Sequence, residues 1–359
     1  MVFSILEINT DKGKEEYLNL ILMLKIKDPY AQLGYLEVFS GGLENLVCFF
    51  YSNKESNNWV MMLVHLNPIT IGKEPTLFYD VITSYGYSGP ILSANILEFE
   101  LLEFWQNVDS WCFLNNVVSA FIRFNLTNNH LSYSGEVFPT MLNIKGAIIN
   151  EDLQWKSFDR KVRKNVNKAK RENLCSEIYF LDIIDEKIAE FHDIYIHTMK
   201  RTNANETFLY SFNQFKKFLN NNRGYAAICT IYFEDTAVSS ELLLISEDSV
   251  YSFLGGTNDS FFYKRPNDFL KVAALNWART QGKKYYVLGG GYGLEDGIFK
   301  YKKCFFPNDV VTYYTGRRIL NKVNYDQLVT KASKLRVAKG LLELDVEDKT
   351  FFPLYNKVN

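Results

Sequence analysis

Apolar and polar positions along the chain sort into two successive rounds of elements. In the first, residues 10–26 predict a helix, with Thr10 or Asp11 as cap and Glu15 and Glu16 in its first turn. Strand-like apolar runs follow at 43–52, 58–66 and 77–83, the first two joined by a polar turn at 53–57. After the Gly/Pro-rich loop YGYSGP (85–90), residues 95–107 place Leu97, Leu101, Leu102 and Trp105 near one helical face. β-like runs at 117–124 and 140–149 flank a polar stretch.

The second round opens on a basic segment, 158–174, followed by helical stretches at about 185–200 and 212–221. The runs 225–233, 237–245 and 250–256, joined by tight polar turns, predict a meander. A helix over 267–281 has Pro266 before it and Gly282 as its stop, with Leu270, Ala273, Ala274 and Trp277 on one stripe. A short buried strand (285–288), three glycines, a helical turn to Phe305, a strand at 310–318 and a helix at 322–337 complete the chain. Both rounds read strand–strand–strand–helix–strand–strand, an α+β unit present twice with a boundary near residue 150.

Composition agrees with two cores. The 359 residues exceed one ordinary core, and 47% are hydrophobic, with 28 Phe and 23 Tyr. Forty Lys plus Arg against 41 Asp plus Glu leave no global field toward nucleic acid or an anionic membrane, so an anion site has to be local. The apolar runs are too short or interrupted to span a bilayer, and the first residues lack the pattern of a signal peptide. Five scattered cysteines without a CxxC point to a reduced, cytoplasmic protein, and four isolated histidines give no metal-ligand spacing. We therefore expect no metal, no resident cofactor and no DNA partner; peripheral membrane contact stays open.

Several stretches resemble a known family. DVITSYGYSGP (80–90), AFIRFNLTNNH (120–130), RKVRKNVNKAKREN (160–173), YIHTMKRTNANETFLYSF (195–212) and LGGGYGLEDGIFKYKKCF (288–305) are similar, in that order, to signature words of FemAB-like proteins. These are the peptidoglycan interpeptide bridge-forming aminoacyltransferases and their GNAT-type relatives. The resemblance implies two tandem GNAT-like α+β domains with mixed sheets flanked by helices: residues 1–152, residues 153–345 carrying the donor site, and a tail at 346–359. It implies N-acyl transfer from a thioester or ester to an amine on a cell-envelope precursor, a peptidoglycan peptide or a nucleotide- or lipid-linked sugar. Asn125 and Leu126 stand where the family often has His-Pro, with His130 nearby, Tyr301 stands where Phe commonly precedes the lysine, and Gly297 replaces a small serine. Between Arg171 and Arg201 no heptad run matches the family's coiled-coil arm, so acyl-CoA is the preferred donor. Aminoacyl-tRNA, or a catalytically inactive binding protein of the same fold, is the alternative.

The candidate residues follow from these words and from chemistry. Gly289, Gly290 and Gly291 at a strand exit let backbone amides approach a ligand, and Lys302 beyond them supplies a point charge for phosphate. Asn267, at the start of the helix where GNAT-type enzymes hold a pyrophosphate, joins them on the donor side. Tyr85, Tyr87, Arg123, Arg163, Arg201 and Tyr210 are the acceptor-side candidates. Arg123 interrupts an apolar strand, and Arg163 stands in a basic segment without the interleaved aromatics of a nucleic-acid site. Glu295 and Asp296 are the candidates for a base. No Ser-His-Asp or Cys-His arrangement is legible, which disfavours a covalent acyl-enzyme.

Overall fold

The computed structural model describes residues 1–358. The strands are β1 (Val2–Glu7), β2 (Leu46–Asn53), β3 (Asn58–Ile71), β4 (Glu74–Thr83), β5 (Ile91–Leu92), β6 (Val117–Arg123), β7 (Glu136–Ala147), β8 (Leu174–Phe180), β9 (Ala226–Phe233), β10 (Thr236–Ile245), β11 (Ser249–Thr257), β12 (Tyr285–Gly289) and β13 (Val310–Ile319). The helices are α1 (Asp11–Met23), α2 (Leu33–Phe39), α3 (Glu98–Leu114), α4 (Glu151–Ser157), α5 (Arg160–Arg171), α6 (Asp185–Arg201), α7 (Phe212–Asn221), α8 (Pro266–Thr280), α9 (Gly297–Lys303) and α10 (Lys322–Ala338). The chain divides into two compact units. The first holds residues 1–26, 39–140 and those from 313 onward; the second holds 27–38 and 141–312. The contiguous boundaries expected at 152 and 345 therefore differ from the observed division. The reason is pairing: Thr315–Ile319 of β13 lie antiparallel to Ser119–Arg123 of β6, which assigns the closing strand and α10 to the first unit.

In the first unit β1, β2, β3 and β4 are antiparallel neighbours, and β4 pairs with β6 in parallel from Tyr79–Val117 to Ile82–Phe121. The crossover between them is α3, which buries Leu101, Phe104, Trp105, Val108 and Cys112 on one stripe against the sheet. Its start is fixed by Glu100, whose carboxylate accepts from Asn53, Asn58 and Ser56 at 2.6–2.7 Å. A second cluster places Leu328, Val329 and Ala332 of α10 and Tyr355 against Ile69, Ile71 and Val118. Tyr355 is fully buried, and its hydroxyl meets Ser119 at 2.9 Å and the Asp80 carboxylate.

The second unit repeats this plan. β8, β9, β10 and β11 run antiparallel, β12 joins β11 in parallel after the crossover α8, and β7 pairs with β12. α8 buries Leu270, Ala274, Leu275 and Ala278, and α5 buries Val162, Val166 and Ala169 in the same core. Burial of a Leu, Val or Phe side chain contributes about 1.5–3 kcal/mol, so the apolar stripe on α5, and not its charge, sets where that basic helix lies. Tyr30 and Tyr35 of the segment 27–38 pack edge-on or tilted against Tyr251 and Phe253 of β11.

Candidate active site

The two units differ at the place where their parallel strands end. In the first unit β4 and β6 stay paired to Ile82, and beyond it Arg123 closes the gap. Its amide donates to Thr83 Oγ1 (2.7 Å) and its guanidinium to the Thr83 carbonyl (2.8 Å). In the second unit β11 and β12 pair only through Ser249–Tyr251, and Ser252–Thr257 run on without β12 beside them. Along this stretch lies a cavity of about 480 Å³. Its walls come from β10, β11, the end of α6, the start of α8 and α9.

Glycine lets these walls close up. A Cβ on Gly256 would sit 2.3 Å from Thr198 Oγ1 and 2.7 Å from the Ile194 carbonyl, so α6 can press on β11 only because none is there. Thr198 then accepts from the Thr257 amide at 3.1 Å. The floor is a buried charged pair. Glu241 and Lys271 form an ion pair at 4% and 8% exposure; Lys271 also donates to Ser252 Oγ (2.8 Å), and Tyr286 donates to Glu241 (3.2 Å). Ser252 completes the network by donating to Glu241.

Lys302 faces this cavity and donates to the Gly290 carbonyl at 2.6 Å. Burial first, and the positive charge of Lys271 second, bring its pKa down to about 8, against the opposing pull of Glu241 and Asp296. At the start of α8, Arg265 is left-handed (φ 66°) and offers no side-chain cap, and Pro266 lacks an N–H. Asn267 donates to the Tyr301 hydroxyl at 3.0 Å. Asp268 is buried at 8% exposure with one carboxylate oxygen taking Asn165 Nδ2 at 3.1 Å, and burial raises its pKa. Arg201 lies on the rim with its guanidinium 5.0 Å from the Phe262 ring.

The sequence-derived candidates fall into three groups. Lys302, Asn267 and Arg201 come together on this one cavity. Tyr85, Tyr87 and Arg123 surround Tyr313 in the first unit: Tyr87 packs edge-on against it at 5.7 Å, and burial pushes its hydroxyl pKa up, with Arg123 opposing and Tyr85 adding to the rise. The rest are not among the residues lining the cavity. Gly289 supplies a positive φ of 75°, and a Cβ on Gly290 or Gly291 would lie 2.4 Å from Met141 Sδ or 2.0 Å from an Asp296 oxygen. The glycines accommodate protein atoms and are not among the residues lining the cavity.

Asp296 caps α9 by accepting from the Tyr292 (2.6 Å), Gly293 (3.2 Å) and Phe299 (2.8 Å) amides, led by Phe299 in lowering its pKa, so its carboxylate is held as a cap. Glu295 sits exposed in the preceding turn at φ 50°. Arg163 donates to the Lys156 carbonyl (2.9 Å) and the Phe158 carbonyl, satisfying backbone acceptors at the end of α4. Tyr210 packs on Phe215 at 5.8 Å, away from the cavity. His130 stacks on Tyr314 at 4.4 Å in the first unit. Glu241, Lys271, Thr198 and Asp268 had not been singled out. Glu241 was visible as a lone acid in the apolar run AVSSELLLI (237–245).

Among the described residues no group of three His, Cys, Asp or Glu is placed to hold a metal ion, and no helix is long and apolar enough to cross a membrane. Residues 160–303 match the family model described as an acetyltransferase (GNAT) domain, and that span contains every residue lining the cavity. No curated protein matches the sequence. Among solved structures, FemX is similar at 13% identity and a TM-score of 0.58, covering 78% of this chain and 89% of that one. A C-terminal domain (DUF2156) assigned to a lysylphosphatidylglycerol synthetase of Agrobacterium fabrum is similar at 11% and 0.58, covering 91% and 98%. L-PGS of Bacillus licheniformis is similar at 14% and 0.56, covering 90% and 97%. At these identities the likeness is one of fold.

Proposed function

We propose that this chain, whose residues 160–303 match a GNAT domain and which carries two GNAT-like α+β units, performs N-acyl transfer to an amine in the cavity of the second unit. The observation that carries this reading is the parting of β11 from β12 beside a cavity that Lys302 faces. An acyl carbonyl laid along the unpaired edge of Ser252–Thr257 meets backbone amides that stabilise the tetrahedral oxyanion. The attacking amine forms the C–N bond, loses a proton, and the donor oxygen or sulfur leaves with the electron pair of the broken bond. Lys302, with a pKa near 8, adds positive charge at the developing oxyanion or takes that proton.

The acceptor in this reading is a cell-envelope precursor, a peptidoglycan peptide or a nucleotide- or lipid-linked sugar. Its support is likeness in fold to FemX and to proteins named for lysylphosphatidylglycerol synthesis. Two donors fit the reaction, acyl-CoA and an aminoacyl ester such as aminoacyl-tRNA. Pro266 and Asp268 in the first turn of α8 support the aminoacyl ester: one removes an amide a pyrophosphate would use, and the other places a carboxylate there.

A thermal-shift panel tests the reading, with acetyl-CoA, longer acyl-CoAs, nucleotide sugars and aminoacyl-tRNA. Ligands stabilise only what they bind. A shift of several degrees with one donor class, absent in Lys302→Ala, supports transfer chemistry in this cavity. The absence of a shift with every donor, well above expected affinities, overturns it.

A further inference from the structure

A bulge opens the strand wall of the cavity. β10 and β11 pair Leu243 with Ser252 and then Leu242 with Leu254, so Phe253 is an extra residue on β11. In unbroken register Leu254 would stand opposite Glu241; with the bulge Gly255 does, leaving no side chain across from the carboxylate. Ser252 is the first β11 residue beyond the last pair with β12, and it lines the cavity together with Glu241 and Lys271. Charge fixes the direction of its hydrogen bonds. The Lys271 ammonium can only donate, which it does at 2.8 Å, and the ion-paired Glu241 carboxylate can only accept. The Ser252 proton therefore points at Glu241, and Lys271 holds one of the two lone pairs on its oxygen. One lone pair is left, so toward a ligand Ser252 is an acceptor only. The ligand group that suits it is an N–H.

We infer that Ser252 takes the proton of the attacking amine while passing its own to Glu241, a two-proton relay whose oxygens Lys271 holds in place. As the amine nitrogen forms the C–N bond, the carbonyl π pair moves to oxygen. One N–H proton moves to Ser252 Oγ, and the Ser252 proton moves to Glu241 Oε1. When the oxyanion re-forms the carbonyl, the donor oxygen or sulfur leaves with the electron pair and recovers a proton by the same path. Resting on the transfer reading above, the relay leaves Lys302 as a positive charge at the oxyanion. The titratable groups facing Glu241 are Lys271 of α8, Cys229 of β9, Tyr286 of β12, and Tyr301 and Lys302 of α9. Burial keeps the thiol and both hydroxyls protonated, so the charges acting on Glu241 are those of the lysines.

Single-turnover rates in mixtures of water and heavy water count the moving protons. The probes are acetyl-CoA or alanyl-tRNA as donor and glycinamide as acceptor, with the amide product measured by mass spectrometry. In the wild type, two protons in flight are expected to make the rate fall along a curve as the deuterium fraction rises. Ser252→Ala is expected to lower the rate about 10²-fold, the low end of what a general base contributes, and to turn the curve into a straight line. Its thermal shift with the donor is expected to match that of the wild type, since the relay touches the amine and not the donor. Ser252→Thr keeps a hydroxyl and is expected to recover most of the rate together with the curve. A hydroxyl that only supported the fold would change the rate and leave the curvature as it was. A straight wild-type dependence, a folded Ser252→Ala that keeps its rate or its curvature, or a folded Ser252→Thr without recovery would each overturn the relay. The wild-type curve decides alone if Ser252→Ala does not fold. Product formed in any of these cases leaves the transfer reading standing, whereas no product from either donor in the wild type overturns transfer and relay together.

Discussion

Replacing Glu241 by Gln, and Lys271 by Met, singly and together, probes the floor of the cavity. The pair has side-chain exposures of 5% and 9%. Removing one member of a buried pair leaves an uncompensated charge and costs about 3–5 kcal/mol. In Glu241→Gln, Lys271 keeps neutral acceptors, the Ser252 hydroxyl and the Gln amide oxygen, but no counter-charge, so the full range is expected. In Lys271→Met the Glu241 carboxylate keeps two hydroxyl donors, Ser252 and Tyr286, each contributing about 0.5–1.5 kcal/mol. That variant is expected to lose about 1–2 kcal/mol less than the first, by the same hydrogen-bond scale. The double variant retains an acceptor oxygen for both hydroxyls and no net charge, and is expected within about 1–2 kcal/mol of wild type. Urea denaturation measures all four proteins. Single losses below about 1 kcal/mol, or single losses that simply add in the double variant, would refute the reasoning that this is a desolvated, coupled pair.

Other outcomes follow from individual residues. Lys302 titrates at about 8 in the folded protein against an ordinary 10.5, so the unfolded chain binds more protons between these values and wild-type stability rises with pH across that window. Lys302→Met lacks this rise. Denaturation at several pH values is expected to find it more stable than wild type below pH 8, by up to about 3 kcal/mol less the lost Gly290 bond, with the advantage shrinking toward pH 10. Asp296→Ala removes a cap that holds three amides and is expected to lower stability by about 1–2 kcal/mol, read as a drop in Tm, without the loss of turnover that removal of a base would cause. Arg163→Ala is expected to lose about 1–2 kcal/mol through the orphaned carbonyls of Lys156 and Phe158 and to leave donor affinity, measured by calorimetry, unchanged.

Much of the architecture was legible because strong periodicity decides element type. α7 was expected at 212–221 and lies there, with Phe215, Phe218 and Leu219 inward, and the meander 225–256 appears as β9, β10 and β11. The short elements β1, α2, α4 and β8 were missed. β8 has exposed Cys175, Ser176 and Glu177 after a buried Leu174, as suits an edge strand, and offers little apolar signal. The unit boundary was hidden for a different reason: β13 pairs with a strand nearly two hundred residues earlier, and no local pattern carries that partner.

At the site, the sequence brought out residues that line the cavity, Lys302, Asn267 and Arg201, and hid which side chains are committed to the backbone. Asp296 illustrates the second case, since a cap and a base call for the same side chain and only the three amides it meets tell them apart. Arg163 is similar: in a run of basic residues it turns inward to two carbonyls while its neighbours stay outside. Asp268 and Lys271 escaped notice because a charged residue on an amphipathic helix is ordinarily solvated, and burial at the cavity depends on α6, β10 and α9 packing around the start of α8.

The central claim is that the transferred acyl group sits in the cavity of the second unit. Photo-crosslinking with a donor carrying a diazirine on its acyl chain, followed by mass spectrometry of the peptides, tests it most directly. The account predicts adducts on the β11 edge from Ser252 to Thr257 or on α9 near Lys302, suppressed by unlabelled donor. Competed adducts confined to the first unit, around Tyr85, Tyr87 and Arg123, would contradict it.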